Sequence, residues 1–293
     1  MGLDKKSGFK RRFIQVLSTL IGNSNLKGFA ESNIYKGDSK ALCAPFLNCY
    51  SCPGAVAGCP IGSFQAVAGS MKYNISFYVL GTMMTFGILM GRLICGFLCP
   101  FGFIQDLLHK IPSPKFKVAQ PLKYLKYVFL FGVVLLLPII FADDLGMADP
   151  YFCKYICPAG TLEAGVFLVA GNPYLQEAIG LLFYWKIGLS LLFVLSSVLV
   201  YRGFCKVVCP LGAFYALFNR WSFYRYQIDM SKCIGCGKCK NTCKMDVDPV
   251  KNANHPECIR CGECIGVCPT KAIASNLKLV KKPVKQGGET VES

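Results

Sequence analysis

The chain has 293 residues, of which 53% are hydrophobic, and it carries a formal net charge of +16. This apolar content exceeds that of an ordinary soluble domain and indicates a membrane protein. The positive charge does not indicate a nucleic-acid partner, because much of the Lys and Arg flanks apolar segments, where it sets membrane orientation.

Hydropathy predicts a mainly α, polytopic transmembrane helix bundle of about four spans within residues 1–225. Three apolar runs approach the roughly 20 residues that a helix needs to cross a hydrocarbon core. They cover residues from about 75 to 94, 122 to 142 and 178 to 201. A weaker run, 13–30, is interrupted by polar residues at 23–25. This run must also cross the membrane if the N-terminus lies in the cytoplasm, as the loop charges predict.

The charges of the loops predict the orientation of the bundle. Residues 95–122 hold three lysines against one acid, whereas residues 142–178 hold five acids against one lysine. By the positive-inside rule, the first loop is cytoplasmic and the second lies outside. We therefore expect a multi-pass protein of the cell membrane, in contact with lipid, with both termini in the cytoplasm.

Residues 41–70 contain no charged residue but are broken by Pro45, Pro53 and Pro60. Such a segment cannot form one continuous helix. Irregular backbone is tolerated at membrane depth where it is buried in protein. A re-entrant loop and a cap that stays outside the membrane are both compatible with this pattern.

Most of the first ten cysteines stand in a motif that recurs at the ends of apolar segments. Its copies are Cys95-x3-Cys99-Pro100, Cys153-x3-Cys157-Pro158 and Cys205-x3-Cys209-Pro210, with a half-copy at Cys59-Pro60. Cysteines four residues apart share a helical face, and the proline can begin the next helix. The order span, outer motif, span, inner motif occurs twice. It predicts two parallel repeats that bring equivalent motifs face to face.

The last eight cysteines predict an α+β two-cluster ferredoxin domain at residues 226–275, followed by a flexible basic tail at 276–293. Both runs have the spacing C-x2-C-x2-C-x3-C, in which three cysteines of one run and the fourth of the other bind each 4Fe–4S cluster. The register does not match a zinc ribbon, which is the alternative for C-x2-C pairs. The predicted ligand sets are Cys233, Cys236, Cys239 and Cys268 for one cluster, and Cys258, Cys261, Cys264 and Cys243 for the other.

Each Cys-x3-Cys motif supplies two ligands, so a cluster within the membrane domain needs two motifs. The inner candidates are Cys95, Cys99, Cys205 and Cys209. For a second, outer cluster we favour Cys59, Cys153, Cys157 and Cys52. Cys43 and Cys49 would then form a disulfide or remain free. The alternative, in which these cysteines are only small buried apolar residues, does not account for the recurring motif.

Three basic residues are candidates for contact with a cofactor. Arg92 and Arg202 each lie three residues before an inner motif. They could donate hydrogen bonds to cluster sulfurs or serve as positive anchors at the cytoplasmic face. Lys186 could contact a quinone or a proton path, or snorkel outward beside Tyr184 and Trp185. We identify no catalytic residue in the sequence.

The inner motifs, followed by a two-cluster ferredoxin segment, resemble the NapH-type membrane iron–sulfur proteins over residues 75–273. That family includes quinol-dehydrogenase subunits of periplasmic nitrate reduction. The resemblance implies an integral membrane protein with 4Fe–4S clusters that exchanges electrons with a quinone pool or a redox partner protein. The outer motifs at Cys59 and at Cys153 and Cys157 depart from the family pattern.

We therefore expect an electron relay between a cytoplasmic redox partner and a quinone pool or an extracytoplasmic acceptor, a component of an oxidoreductase system and not a stand-alone enzyme. One alternative is a quinol-dehydrogenase subunit, which a quinone-sized pocket near the inner cysteines would favour. Another is an extracytoplasmic metal-handling or assembly factor. Outer cysteines too far apart to share a cluster would favour that alternative.

Overall fold

The structure is a computed structural model that describes residues 2–71, 76–144 and 148–279. It is mainly helical, and its first half contains one long helix followed by short segments around the cysteine motifs. The helices of this half are Gly2–Gly22, Leu26–Glu31, Pro60–Gly69, Phe77–Met90, Leu93–Phe97 and Pro100–Leu108, with a 3₁₀ turn at Asp38–Ala41.

The second half repeats this order with two apolar helices of 20 and 19 residues, which run from Pro121 to Ile140 and from Leu181 to Leu199. The first includes a 3₁₀ turn and a π-helical stretch, and another π-helical stretch follows the outer motif. The segments are Pro121–Tyr124, Leu125–Val128, Phe129–Leu136, Leu137–Ile140, Tyr151–Tyr155, Gly160–Gly165, Val166–Gly171, Pro173–Glu177, Leu181–Leu199, Gly203–Val207 and Pro210–Phe218.

The C-terminal domain is small and mixed. Strands Tyr226–Ile228 and Ile273–Ser275 form an antiparallel pair in which Tyr226 faces Ser275. Short helices lie at Lys238–Thr242, Glu263–Val267 and Asn276–Leu279. The last of these occupies the start of the segment predicted as a flexible tail, and the rest of that tail lies outside the described residues.

Two of the four predicted spans are helices long and apolar enough to cross a membrane within the described part of the chain, Pro121–Ile140 and Leu181–Leu199. A third, Phe77–Met90, is apolar but only 14 residues long. The run predicted at 13–30 is divided, because the N-terminal helix ends at Gly22 and a new helix begins at Leu26. The four-span bundle therefore stays a prediction.

The N-terminal helix turns polar side chains toward the protein and apolar ones outward. Gln15 donates to the Gly96 carbonyl at 3.1 Å and Ser18 to the Leu98 carbonyl at 2.8 Å. A helix at a protein surface in water normally has the opposite pattern. The exposed side chains on this helix include Phe13, Ile14, Leu17, Leu20 and Ile21.

The segment between Cys43 and Cys59, hereafter the cysteine loop, lies inside the bundle. The Tyr215 hydroxyl donates to the Pro45 carbonyl at 2.7 Å, and the Cys99 thiol lies 3.9 Å from the Leu47 carbonyl. Cys99 belongs to one inner motif, and Tyr215 lies on the helix Pro210–Phe218 that follows the other. Of the two alternatives for this segment, the contacts favour a loop that re-enters the bundle.

Buried ion pairs hold the C-terminal domain against the helices. Glu257 pairs with Arg92 at 2.9 Å and also with Lys126, and the side chains of both cations are fully buried. Lys206 pairs with Asp246 at 2.7 Å. The approach is close: a Cβ added at Gly96 would lie 2.5 Å from the Ile259 carbonyl oxygen, so only glycine fits there.

This docking makes Glu257 a point at which stability can be tested. We expect Glu257→Gln to leave two buried cations without their counter-charge, at a cost of about 3–5 kcal/mol for breaking a buried pair. The unfolding temperature of the protein in detergent should fall. The matched control is Asp229→Asn, which breaks the exposed pair of Asp229 with Lys232. An equal fall in both variants would contradict the role of Glu257.

Candidate functional site

The first ferredoxin run and Cys268 line one cavity of about 210 Å³ in the C-terminal domain. The run turns around this cavity through Gly235 and Gly237, whose φ angles of 68° and 66° are costly for other residues. Of its cysteines, Cys236 is exposed to solvent. The four that line the cavity are Cys233, Cys236, Cys239 and Cys268.

The second run and Cys243 surround a smaller cavity of about 20 Å³. Burial raises the pKa of the Cys264 thiol, and Cys258, Cys261 and Cys243 raise it further by charge repulsion. Both ferredoxin cavities are thus lined by the sets that the spacing predicts.

The inner motifs meet in the bundle. Burial raises the pKa of the Cys99 thiol, and the nearby Cys205 and Cys95 raise it further. The ring is completed by Cys209, and the neighbouring Cys205 thiol and burial both raise the pKa of its thiol. Each second cysteine also accepts a hydrogen bond at 3.4 Å from the amide three residues on, that of Gly102 or Gly212.

Arg92 and Arg202 cross between the repeats. Arg92 donates to the Cys205 carbonyl at 3.4 Å, and Arg202 donates to the Cys95 carbonyl at 2.5 Å. Both side chains are fully buried, which does not fit a role as surface anchors. Burial raises the pKa of the Cys95 thiol above its ordinary value, and the charges of Arg92 and Arg202 act against this effect.

Each arginine has a carboxylate partner. Arg202 forms a two-pronged pair with Asp106, with both N···O distances at 2.7 Å. Burial alone would raise the pKa of Asp106, but the Arg202 guanidinium outweighs burial and lowers it to about 2. Glu257 is likewise lowered to a pKa of about 2, by Arg92 and Lys126 against the effect of burial. Sequence reasoning missed both acids as partners, because nothing local marks the pairing.

The outer cysteines line the largest of these cavities, about 410 Å³. Burial raises the pKa of the Cys157 thiol, and Cys153, Cys59 and Cys49 add to the effect. Cys49 occupies the place for which the sequence favoured Cys52. The Cys52 thiol instead lies 3.5 Å from the Asn23 side-chain oxygen and does not line the cavity. The course of the cysteine loop determines which of these two residues faces the cavity, and the spacing of the cysteines does not predict that course.

Lys186 does not snorkel outward. Its ammonium group donates to the Cys153 carbonyl at 3.0 Å, while the neighbouring Trp185 indole donates to the Tyr155 carbonyl at 3.1 Å. Both contacts tie the last long helix to the outer motif. Lys186 therefore adds a positive charge beside the outer cavity.

The three cysteine-lined cavities suit clusters better than single ions. A tetrahedral zinc site needs its thiolates about 2.3 Å from one ion. Among residues 2–71, 76–144 and 148–279, no three His, Cys, Asp or Glu side chains converge closely enough to hold one metal ion. Cysteines spaced around a cavity are what a cubane requires, since its ligands attach at separate corners.

Comparison with known families agrees with this donor set. A family model described as a 4Fe-4S binding domain matches residues 75–119, 127–173 and 181–223, so each copy contains one Cys-x3-Cys-Pro motif. A second 4Fe-4S binding domain model matches residues 226–247 and 254–274, which hold the ferredoxin runs.

Among curated proteins, an uncharacterized protein of Methanocaldococcus jannaschii is 28% identical over 73% of this chain and 78% of its own length. The methylamine utilization ferredoxin-type protein MauN of Paracoccus denitrificans is 28% identical over 64% of this chain and 57% of its own. The ferredoxin-type protein NapH of Haemophilus influenzae is 24% identical over 55% and 50%. The chain is a member of the NapH-type family of 4Fe–4S ferredoxin-like proteins. The resemblance inferred from the motifs is confirmed, and no solved structure matches the chain.

The choice between Cys49 and Cys52 can be tested directly. In this NapH-type protein we expect Cys49→Ser to remove about four irons per chain, because it takes one ligand from the outer cavity. Cys52→Ser is the matched control, three residues away and outside the cavity, and should keep the full content. Iron and acid-labile sulfide analysis measures both. Loss of iron in Cys52→Ser but not in Cys49→Ser would identify Cys52 as the ligand.

Proposed function

We propose that the chain is a membrane-embedded relay in which four 4Fe–4S clusters carry electrons between a cytoplasmic partner and the outer side of the membrane. The clusters are held by the two ferredoxin sets, by the inner ring of Cys95, Cys99, Cys205 and Cys209, and by the outer ring of Cys49, Cys59, Cys153 and Cys157. When bound, they supply one-electron chemistry. The side chains of this protein hold them in sequence and keep water away.

Membrane embedding is supported by helices that are inside-out relative to a water-soluble protein. On the apolar helix Leu181–Leu199 the buried residues are two serines, Ser190 and Ser197. Leucines of the same helix, such as Leu191 and Leu192, are more than half exposed, at 58% and 59%. Hydrocarbon is the surrounding that makes this arrangement favourable. With the loop charges, it also supports cytoplasmic termini.

The cytoplasmic entry point is the first ferredoxin set, because Cys236 is exposed there. The second set adjoins the inner ring. Asn219, at the end of an inner motif helix, donates to the Cys258 carbonyl at 2.9 Å and accepts from the Arg92 amide at 3.1 Å. One side chain thus connects a ligand of the second set to the segment that leads into Cys95.

The observation that carries the proposal is the position of Leu47. Its carbonyl lies 3.9 Å from the Cys99 sulfur of the inner ring, and the same residue lines the outer cavity. The chain from Leu47 to Cys49 spans at most about 7 Å. This separation is far shorter than the hydrocarbon core of about 30 Å. The cysteine loop therefore offers an electron path between the two rings.

The acceptor beyond the outer ring is either a quinone pool or an extracytoplasmic redox protein. The metal-handling alternative is disfavoured, since it called for outer cysteines too far apart to share a cluster. Four of them border one cavity.

The relay can be tested in sealed proteoliposomes with the C-terminal domain facing outward. A membrane-impermeant reductant added outside should reduce a membrane-impermeant acceptor trapped inside. The double variant Cys153→Ser, Cys157→Ser should lose about four irons, keep the ferredoxin signals in electron paramagnetic resonance, and stop this transfer. Transfer at the original rate in that variant would refute the path through the outer ring.

The matched control is Cys43→Ser, which removes a cysteine of the same loop that does not line the outer cavity. It should keep both the iron content and the transfer. Replacing the trapped acceptor by a quinone dissolved in the bilayer, in otherwise identical vesicles, identifies which acceptor the outer ring serves.

A further inference from the structure

All four motif helices carry a polar residue at the same place, six residues after the cysteine that precedes the proline. This place is hereafter called position six. It faces inward in each helix and is not part of the cysteine motif itself. The four residues are Gln65, Gln105, Glu163 and Tyr215.

In the first repeat, position six is a buried glutamine that contacts a sulfur of the opposite repeat. The side-chain amide of Gln65 donates to the Cys153 sulfur at 3.1 Å. That of Gln105 donates to the Cys205 sulfur, also at 3.1 Å. Both glutamines are only 1% exposed. The outer and inner rings thus each receive one amide donor, on the first cysteine of a second-repeat motif.

The orientation of each amide is fixed by its other bonds. The Gln65 oxygen accepts from the Phe152 backbone amide at 2.8 Å, so its nitrogen must point toward Cys153. The nitrogen also donates to the Ile61 carbonyl at 3.1 Å. Gln105 makes the equivalent bond to the Phe101 carbonyl, at 3.4 Å. A carbonyl can only accept, so the nitrogen faces sulfur in both cases.

In the second repeat, position six serves the cysteine loop. The Glu163 carboxylate accepts from the Cys49 backbone amide at 2.8 Å, and the Tyr215 hydroxyl donates to the Pro45 carbonyl. Neither bond is to a cysteine sulfur, although the Tyr215 hydroxyl also lies 3.6 Å from the Met83 sulfur. The two glutamines therefore differ from Glu163 and Tyr215 both in their side chains and in the groups that they contact.

We infer that Gln65 and Gln105 are positioning residues that raise the reduction potentials of the outer and inner clusters, respectively. The inference rests on the proposed function, since it requires clusters in both rings. A donated N–H directs positive charge at a ligand sulfur. The reduced cluster carries one more electron than the oxidised one, so it gains more from this donor. Removing the donor therefore makes the potential more negative.

The test is a redox titration of the purified full-length protein followed by electron paramagnetic resonance. Gln65→Met and Gln105→Met keep the shape of the side chain and remove the donor. We expect Gln65→Met to lower the potential of the outer cluster alone, and Gln105→Met that of the inner cluster alone. The signals are assigned by their loss in the Cys153/Cys157 and Cys205/Cys209 double serine variants.

Gln176→Met is the matched control, because it makes the same substitution at a glutamine whose amide donates to the Val169 and Ala170 carbonyls and not to a sulfur. Its potentials should equal those of the unaltered protein. Full iron content with unmoved potentials in both Gln65→Met and Gln105→Met would overturn the inference. Unaltered protein that holds only about eight irons, enough for two clusters, would overturn the proposed function as well.

If the variants fail to assemble, a measurement on the unaltered protein tests the inference in their place. Protein grown with glutamine labelled with ¹⁵N only at the side-chain amide should show coupling of that nitrogen to both reduced membrane clusters in pulsed resonance spectra. Spectra without this coupling, on protein with about sixteen irons, would likewise overturn the inference.

Discussion

A cubane cluster takes four thiolates, while a Cys-x3-Cys turn offers two, and much of this bundle follows from that mismatch. Cys95 and Cys205 are more than a hundred residues apart, so the two repeats must be held in register where they meet. Arg92 and Arg202 do this by donating across to each other's motif. Two buried guanidinium groups then require carboxylates, which Asp106 and Glu257 supply. Because Glu257 belongs to the ferredoxin domain, its ion pair with Arg92 also holds that domain beside the inner ring.

An outer cluster would also need four thiolates, but the half motif of the first repeat contributes only Cys59. In the proposed outer cluster the fourth ligand comes from the cysteine loop, which turns back into the bundle and places Cys49 at the outer cavity. A loop buried this way carries backbone groups that need partners. Glu163 accepts from the Cys49 amide and Tyr215 donates to the Pro45 carbonyl. The path between the two rings is therefore a consequence of how the outer ring is completed.

Spacing in the sequence was enough to group the inner cysteines and the two ferredoxin sets, because each set combines two copies of a motif that recurs with the same spacing. Cys49 was not predictable in this way. It competes with Cys52 in a loop whose course is set by contacts with distant helices. The polar residues at 23–25 indicated a break in the helix after Gly22, but the sequence did not reveal what the break does. In the structure, the Asn23 side chain accepts a hydrogen bond from Asn48 of the cysteine loop. Position six was present in all four copies at one offset, but its meaning depends on which group lies opposite. Glutamine, glutamate and tyrosine do not reveal a shared role until those partners are known.

The division of position six between sulfur and loop has a geometric cause. The cysteine loop is an insertion in the first repeat only, and it lies against the helices of the second repeat. Glu163 and Tyr215 therefore face loop backbone. Gln65 and Gln105 belong to helices that face the second-repeat motifs without an intervening loop. The π-helical stretch Gly160–Gly165 lies where Glu163 makes its bond, in the one motif helix of the four that departs from regular α geometry at this position. At position six, the first repeat thus contacts the sulfurs and the second supports the loop between the rings.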